Sequence, residues 1–89
     1  MNIDASKIKG ILNKLKHRDP TLFDIVQKKI IWISNLDKIV FEKHFKNLRY
    51  ELSGFKRIHI KNNFVLFFKI ENDTVIFTEF AHHDEAYRR

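Results

Sequence analysis

Cysteine is absent from these 89 residues, proline occurs once and glycine twice. Without cysteine there is no disulfide or thiolate-held zinc to staple a small fold, so the core must come from packing alone. The scarcity of proline and glycine leaves little room for linkers or low complexity, and the length suits a single domain spanning 1–89. No apolar run approaches the ~18 residues of a membrane helix, and the start MNIDASKIKG lacks an apolar signal-peptide core. A cytoplasmic protein with no membrane partner is therefore expected. What the chain has in quantity is phenylalanine, nine residues of it, with one Trp and many Ile, Leu and Val to build that core.

Charge is the second abundance. Seventeen Lys and Arg against eleven Asp and Glu give a net +6, which favours polyanionic partners. The charge is also segregated. From Lys38 to Lys61 there are seven basic residues and two acids, whereas Glu71 to Glu85 holds five acids and no Lys or Arg. Such a distribution predicts a basic surface patch rather than an even solvating coat.

Ile8, Ile11, Leu12 and Leu15 have the spacing of an amphipathic helix over Ala5 to Lys16. His17-Arg18-Asp19-Pro20 then ends one helix and starts another, because Asp19 can cap free N–H groups and Pro20 suits the first helical position. The second helix should run from Pro20 to about Ser34, its apolar side formed by Leu22, Ile25, Val26, Ile30 and Ile33 and widened by Phe23 and Trp32. A short helix near Leu36 to His44 and a loop should follow. Three strands come next, Phe55 to Lys61, Phe64 to Ile70 and Thr74 to Ala81, rich in aromatic and β-branched residues. The expected fold is α+β: an N-terminal helical hairpin on a small antiparallel sheet, with a short C-terminal turn or helix.

Asn62-Asn63 and Asn72-Asp73 separate the strands, and both tolerate the left-handed conformation of two-residue hairpin turns. Two such turns would pair Lys61 with Phe64 and Glu71 with Thr74. One sheet face would then carry Ile58, Ile60, Val65, Phe67, Ile76 and Phe80 toward the helices. The other would carry Arg57, His59, Lys61, Phe64, Leu66, Phe68, Phe77 and Glu79, with His83 just beyond: an aromatic floor with a basic and imidazole rim. One added residue in either turn would flip the affected strand.

That second face holds the parts needed to cut RNA without metal or cofactor. A base takes the proton of a 2′-hydroxyl, cations stabilise the phosphorane, and an acid protonates the departing 5′-oxygen. His59 or His83 can serve as base or acid; Lys56, Arg57 and Lys61 can hold phosphate; Tyr87 or Phe64 can stack a base. A helical turn through Asp84-Glu85-Ala86 would place Tyr87 on the side of His83. His82, His83 and Asp84 are potential metal ligands, but adjacent residues on an extended segment point to opposite sides and no HExxH pair completes a set, so no metal is expected. His44 reads as an ordinary surface residue.

The order helix, Asp-Pro, helix, then Phe45-Lys46-Asn47-Leu48 through Gly54, the strand beginning at Phe55, the apolar strand after it and the ending His83-x-x-x-Tyr87 resembles the RelE/ParE superfamily of toxins from toxin–antitoxin operons. The resemblance covers nearly the whole chain. It implies a small sheet packed by a helical hairpin, an endoribonuclease acting on mRNA in the ribosomal A site without a cofactor, and silencing by a cognate antitoxin. The ending is nearest to the YafQ-like ribonucleases, and Arg57 and His59 fall where family members place basic substrate-contacting residues. Three departures stand out. MNIDAS gives at most a stub where many members begin with a paired strand, and Val65 and Ala81 occupy positions where many carry arginine.

The reading that follows is a ribosome-dependent mRNA endonuclease with His83 as general acid, His59 as base, Arg57 and Lys61 as phosphate clamps and Tyr87 as stacking or acid–base partner. Two alternatives remain: a ParE-like blocker of DNA gyrase, which needs no histidine-bearing cleft, and a catalytically inactive RNA- or protein-binding member. The expected partners are the ribosome with its mRNA and an antitoxin whose acidic amphipathic segment folds over the basic face.

Overall fold

The computed structural model describes residues 1–45 and 54–86. After a short strand β1 (Asn2–Asp4) and a 3₁₀ turn (Ser6–Ile8) come helices α1 (Lys9–Arg18), α2 (Pro20–Ser34) and α3 (Lys38–His44). Strands β2 (Lys56–Ile60), β3 (Phe64–Glu71) and β4 (Thr74–His82) follow, with a short helix α4 (His83–Ala86). The sheet runs in the order β1-β4-β3-β2. This is the expected α+β arrangement of helices on a small sheet; α2 starts at the predicted Asp19-Pro20 cap, and α3 begins at a further cap, Asp37. The Asp19 carboxylate accepts the Leu22 N–H at 3.1 Å, with Pro20 in the first turn, and Asp37 accepts the Val40 N–H at 3.0 Å.

The N-terminus departs from expectation. The stub before α1 is a paired strand, and it runs parallel to β4 with Asn2 opposite Thr74 and Asp4 opposite Ile76, so the sheet is mixed. Further hydrogen bonds flank it, including one from the Asn2 N–H to the Asp73 carbonyl at 3.1 Å. The terminal ammonium of Met1 donates to the Ser34 carbonyl at 2.7 Å, and Asp4 accepts from both the hydroxyl and the backbone N–H of Ser6. The Ser6 hydroxyl bond, then its backbone bond, hold the Asp4 carboxyl below the usual carboxylate range. Because the folded value is depressed, this turn contributes stability above the unfolded carboxylate pKa and loses it as pH falls through the folded one.

Leu22, Val26, Ile30 and Ile33 of α2 are buried together with Ile8, Leu12 and Phe41, against Ile60, Leu66, Phe68, Val75, Phe77 and Phe80 of the sheet. Trp32 lies at the margin of that arc, 39% exposed, its ring edge-on to His44 and Phe45. A chain of rings runs from α3 into the sheet: Phe41 to Phe45 at 5.2 Å, Phe45 to Phe68 at 5.1 Å and Phe68 to Phe77 at 5.7 Å between centroids.

The strand register corrects the predicted one at two places. Ile60, not Lys61, pairs with Phe64, so the β2–β3 turn has three residues, and Lys61 enters it with φ 54°. The Asn72-Asp73 turn has two residues, both left-handed, and Glu71 pairs with Thr74 as predicted. Further along, Phe68 pairs with Phe77 but Phe67 with Glu79, which leaves Thr78 as the extra residue of a β-bulge. The helix-facing side is therefore built from Ile58, Ile60, Phe64, Leu66, Phe68, Phe77 and Phe80. Val65 and Phe67, predicted to face the helices, lie on the opposite face with Ala81, where both are buried.

Two stability predictions follow from this packing. Lys56 is only 3% exposed, its ammonium donating to the Phe45 carbonyl at 3.0 Å, 3.7 Å from the Glu42 carboxylate and over the Phe41 ring. Lys56→Ala should cost about 2–4 kcal/mol by urea denaturation, with Lys56→Met recovering part of it; a loss below ~0.5 kcal/mol would contradict the burial. Asp73 holds φ 64°, so Asp73→Val should lower stability by roughly 1–2 kcal/mol while Asp73→Gly should not, read from the same denaturation midpoints.

Candidate functional site

The two corrections to the register combine on the face turned away from the helices. An extra residue in the β2–β3 turn flips β2 relative to β3, and the Thr78 bulge flips the C-terminal half of β4 relative to the same strand. Arg57 and His59 therefore stay on one face with Glu79 and His83, as predicted, while the β3 residues between them change. The pairings are Arg57–Phe67–Glu79 and His59–Val65–Ala81 across three strands.

His83 follows the end of β4, and its backbone N–H donates to the Asn63 carbonyl at 2.6 Å. That bond pins the start of α4 to the β2–β3 turn. The imidazoles of His59 and His83 consequently stack, with centroids 5.8 Å apart and planes inclined by 29°. Both are exposed, as is Arg57. Lys61 stands exposed in the adjacent turn. Asp84 was not singled out as a site residue: its two carboxylate oxygens lie 3.9 Å from Nδ1 of His82 and of His83, one on each, too far for a hydrogen bond but close enough to place a carboxylate beside both rings. The adjacent His-His-Asp run was the available signal, and it reads more readily as metal ligands.

Two predicted site residues are elsewhere. Lys56 is buried on the helix side, bound to Phe45 and Glu42, because β2 alternation sends it opposite to Arg57. Phe64 is also on the helix side, half-buried and stacked on Phe80 at 5.4 Å with planes 7° apart. The aromatic floor expected under the histidines is replaced by Val65, Phe67 and Ala81. Tyr87 lies outside the described residues. Val65 and Ala81 face each other beside His59, so the two positions where the resemblance leads to arginine form an apolar pair in the middle of the site. Among the described residues no group of three or more His, Asp or Glu is placed to hold a metal, and no helix is long and apolar enough to cross a membrane.

No family model matches the chain. A protein of Methanocaldococcus jannaschii named Putative toxin RelE4 is 42% identical over 81 residues, covering 89% of this chain and 81% of the relative. The chain belongs to the RelE/ParE superfamily of toxins. An uncharacterised Methanosarcina mazei protein is 28% identical over 92% of each chain. Among solved structures, E. coli YafQ superposes with a TM-score of 0.62 at 16% identity, covering 97% of both chains. Helicobacter pylori HP0894 gives 0.53 at 19% identity, covering 97% of this chain and 96% of that one. At these identities the structural likeness is one of fold.

The stacked histidines give a direct test in solution. His59→Ala should move the imidazole resonances of His83 in a side-chain NMR spectrum by removing the ring current, whereas His44→Ala, against Trp32, should leave them in place. Unchanged His83 resonances in the first variant would show that the rings are not neighbours.

Proposed function

We propose that this chain is the toxin of a type II toxin–antitoxin system and acts in the cytoplasm as a ribosome-dependent mRNA endoribonuclease, by acid–base cleavage without a metal. The observation that carries the reading is the stacked pair of exposed imidazoles, His59 and His83, beside Arg57 and Lys61. In-line cleavage needs two proton carriers on either side of one phosphate. His59 takes the proton of the 2′-hydroxyl, the 2′-oxygen forms its bond to phosphorus, and His83 gives a proton to the 5′-oxygen as the old P–O bond breaks. The products are a 2′,3′-cyclic phosphate and a 5′-hydroxyl. Arg57 and Lys61 offset the charge on the phosphorane, a role that leans on them more heavily where Val65 and Ala81 supply no cation. Tyr87, one helical turn beyond His83 in sequence, is the stacking partner for a base.

The partner that silences the toxin is an antitoxin with an acidic segment complementary to the net +6 of this chain. A second reading, a non-catalytic RNA- or protein-binding member of the fold, draws on the apolar Val65–Ala81 pair. A gyrase blocker has less support, since it has no use for two imidazoles brought ring to ring.

Primer-extension mapping of mRNA after induction separates these readings. Wild type should cut within reading frames on ribosomes, and His83→Ala should lower cutting by about 10²–10⁴-fold, the usual contribution of a positioned acid or base. Wild-type protein that is folded yet leaves mRNA uncut would move the assignment to binding; cutting that survives His83→Ala would remove the role given to this histidine.

A further inference from the structure

His82 and His83 leave the end of β4 on opposite sides, and His82 opens onto a concave surface. A groove of about 340 Å³ lies between α1 and the C-terminal end of the sheet. Its α1 wall carries Lys14 and Arg18, exposed and one helical turn apart, with Leu15 between them. The opposite wall carries Phe64 backed by Phe80, and His82, whose ring meets Phe64 edge-on at 5.4 Å. Glu85 of α4 also lines the groove. Among the described residues neither Lys14 nor Arg18 is drawn into an ion pair, although acids are available elsewhere on the surface.

We propose that this groove is a nucleotide subsite, which receives one unpaired nucleotide of the RNA that crosses the His59–His83 pair. The assignment rests on the nuclease reading for the identity of the strand, but the chemistry of the groove stands on its own residues. Cations on one wall and an aromatic ring on the other are what a phosphate and its base require together. The volume is near the lower end of the ~300–1,000 Å³ of small-molecule sites, room for a single nucleotide. The Asp84 N–H donates to Nδ1 of His82 at 3.3 Å, which leaves Nε2 as the ring nitrogen available to a ligand. The Glu85 carboxylate accepts hydrogen bonds and disfavours a phosphate beside it. The phosphate therefore sits at the α1 wall, and the carboxylate takes a hydrogen bond from an exocyclic amino group of the base. Adenine, cytosine and guanine carry that group and uracil does not.

The path is short in sequence terms. His82 lines the groove and the next residue, His83, lines the cleavage face, so a strand bending round the end of β4 passes from one to the other. Phe64 thus keeps the stacking role expected for it, on the other side of the sheet from the histidines.

The test is titration of AMP, CMP, UMP and inorganic phosphate into the full chain, followed by backbone amide shifts. AMP and CMP should move Leu15, Arg18, Phe64 and His82, with UMP weaker and inorganic phosphate leaving Phe64 in place. Lys14→Glu with Arg18→Glu, both on an exposed helix face, should weaken AMP binding by about tenfold or more, as loss of charge-assisted contacts does. Glu85→Gln should narrow the gap between CMP and UMP. No shift at these amides at millimolar nucleotide, binding indifferent to the double charge reversal, or a response to an acidic peptide but to no nucleotide would each overturn the proposal. Nucleotide binding in a protein that does not cut mRNA would retain the subsite and discard the nuclease. Unaltered cutting and base preference in the double variant would do the reverse.

Discussion

Pairing of Ile60 with Phe64 determines which side chains of β2 face the helices and which face outward, and the rest of the molecule depends on that choice. With this register Ile58 and Ile60 join the core, Lys56 is carried inside, and Arg57 and His59 point away from the helices. The Thr78 bulge makes the matching adjustment on the other side of β3, so that Glu79 and His83 come to the face of His59 rather than the core. Bulges near sites commonly re-aim side chains in this way. Here the bulge costs local pairing and places a second imidazole against the first.

The site so formed is unusual in what surrounds its histidines. Val65 and Ala81 span the middle strands opposite His59, where the superfamily resemblance leads to cations, and Phe67 packs with them. This apolar platform beside the imidazoles contributes no positive charge. The cations are displaced to the rim, at Arg57 and Lys61, and to the far side of β4, at Lys14 and Arg18. Among the described residues, these four cations lie round the end of the sheet rather than between the two imidazoles.

Much of the fold was legible because local signals agreed. Asp19-Pro20 marks a helix start with both a cap and a fixed φ, and α2 runs from Pro20 to Ser34 as its apolar spacing predicts. Asn72-Asp73 forms the two-residue turn its composition favours. The β2–β3 turn was not legible, since Asn62-Asn63 has the chemistry of a two-residue turn whereas the left-handed residue is Lys61, which no propensity singles out. The bulge left no mark either: Thr78 is as good a strand residue as its neighbours. These two slips cancel for Arg57, His59 and His83, which is why the histidine face could be read from sequence. They do not cancel for Phe64, which lies on the other side of the sheet. Lys56 was drawn into the site by its charge, although strand alternation already opposed it to Arg57. The parallel pairing of Asn2–Asp4 was hidden by its length, three residues held by Met1 and Asp4 contacts that no pattern encodes.

The central claim is that register and bulge make His59 and His83 one functional unit. A double-mutant cycle on single-turnover cleavage of ribosome-bound mRNA tests it most directly, with His59→Ala, His83→Ala and the pair. Groups acting together on one phosphate lose their effect together, so the double variant should be about as slow as the slower single variant. Losses that multiply across the two sites would contradict the account and leave the stacked rings as neighbours without a shared task.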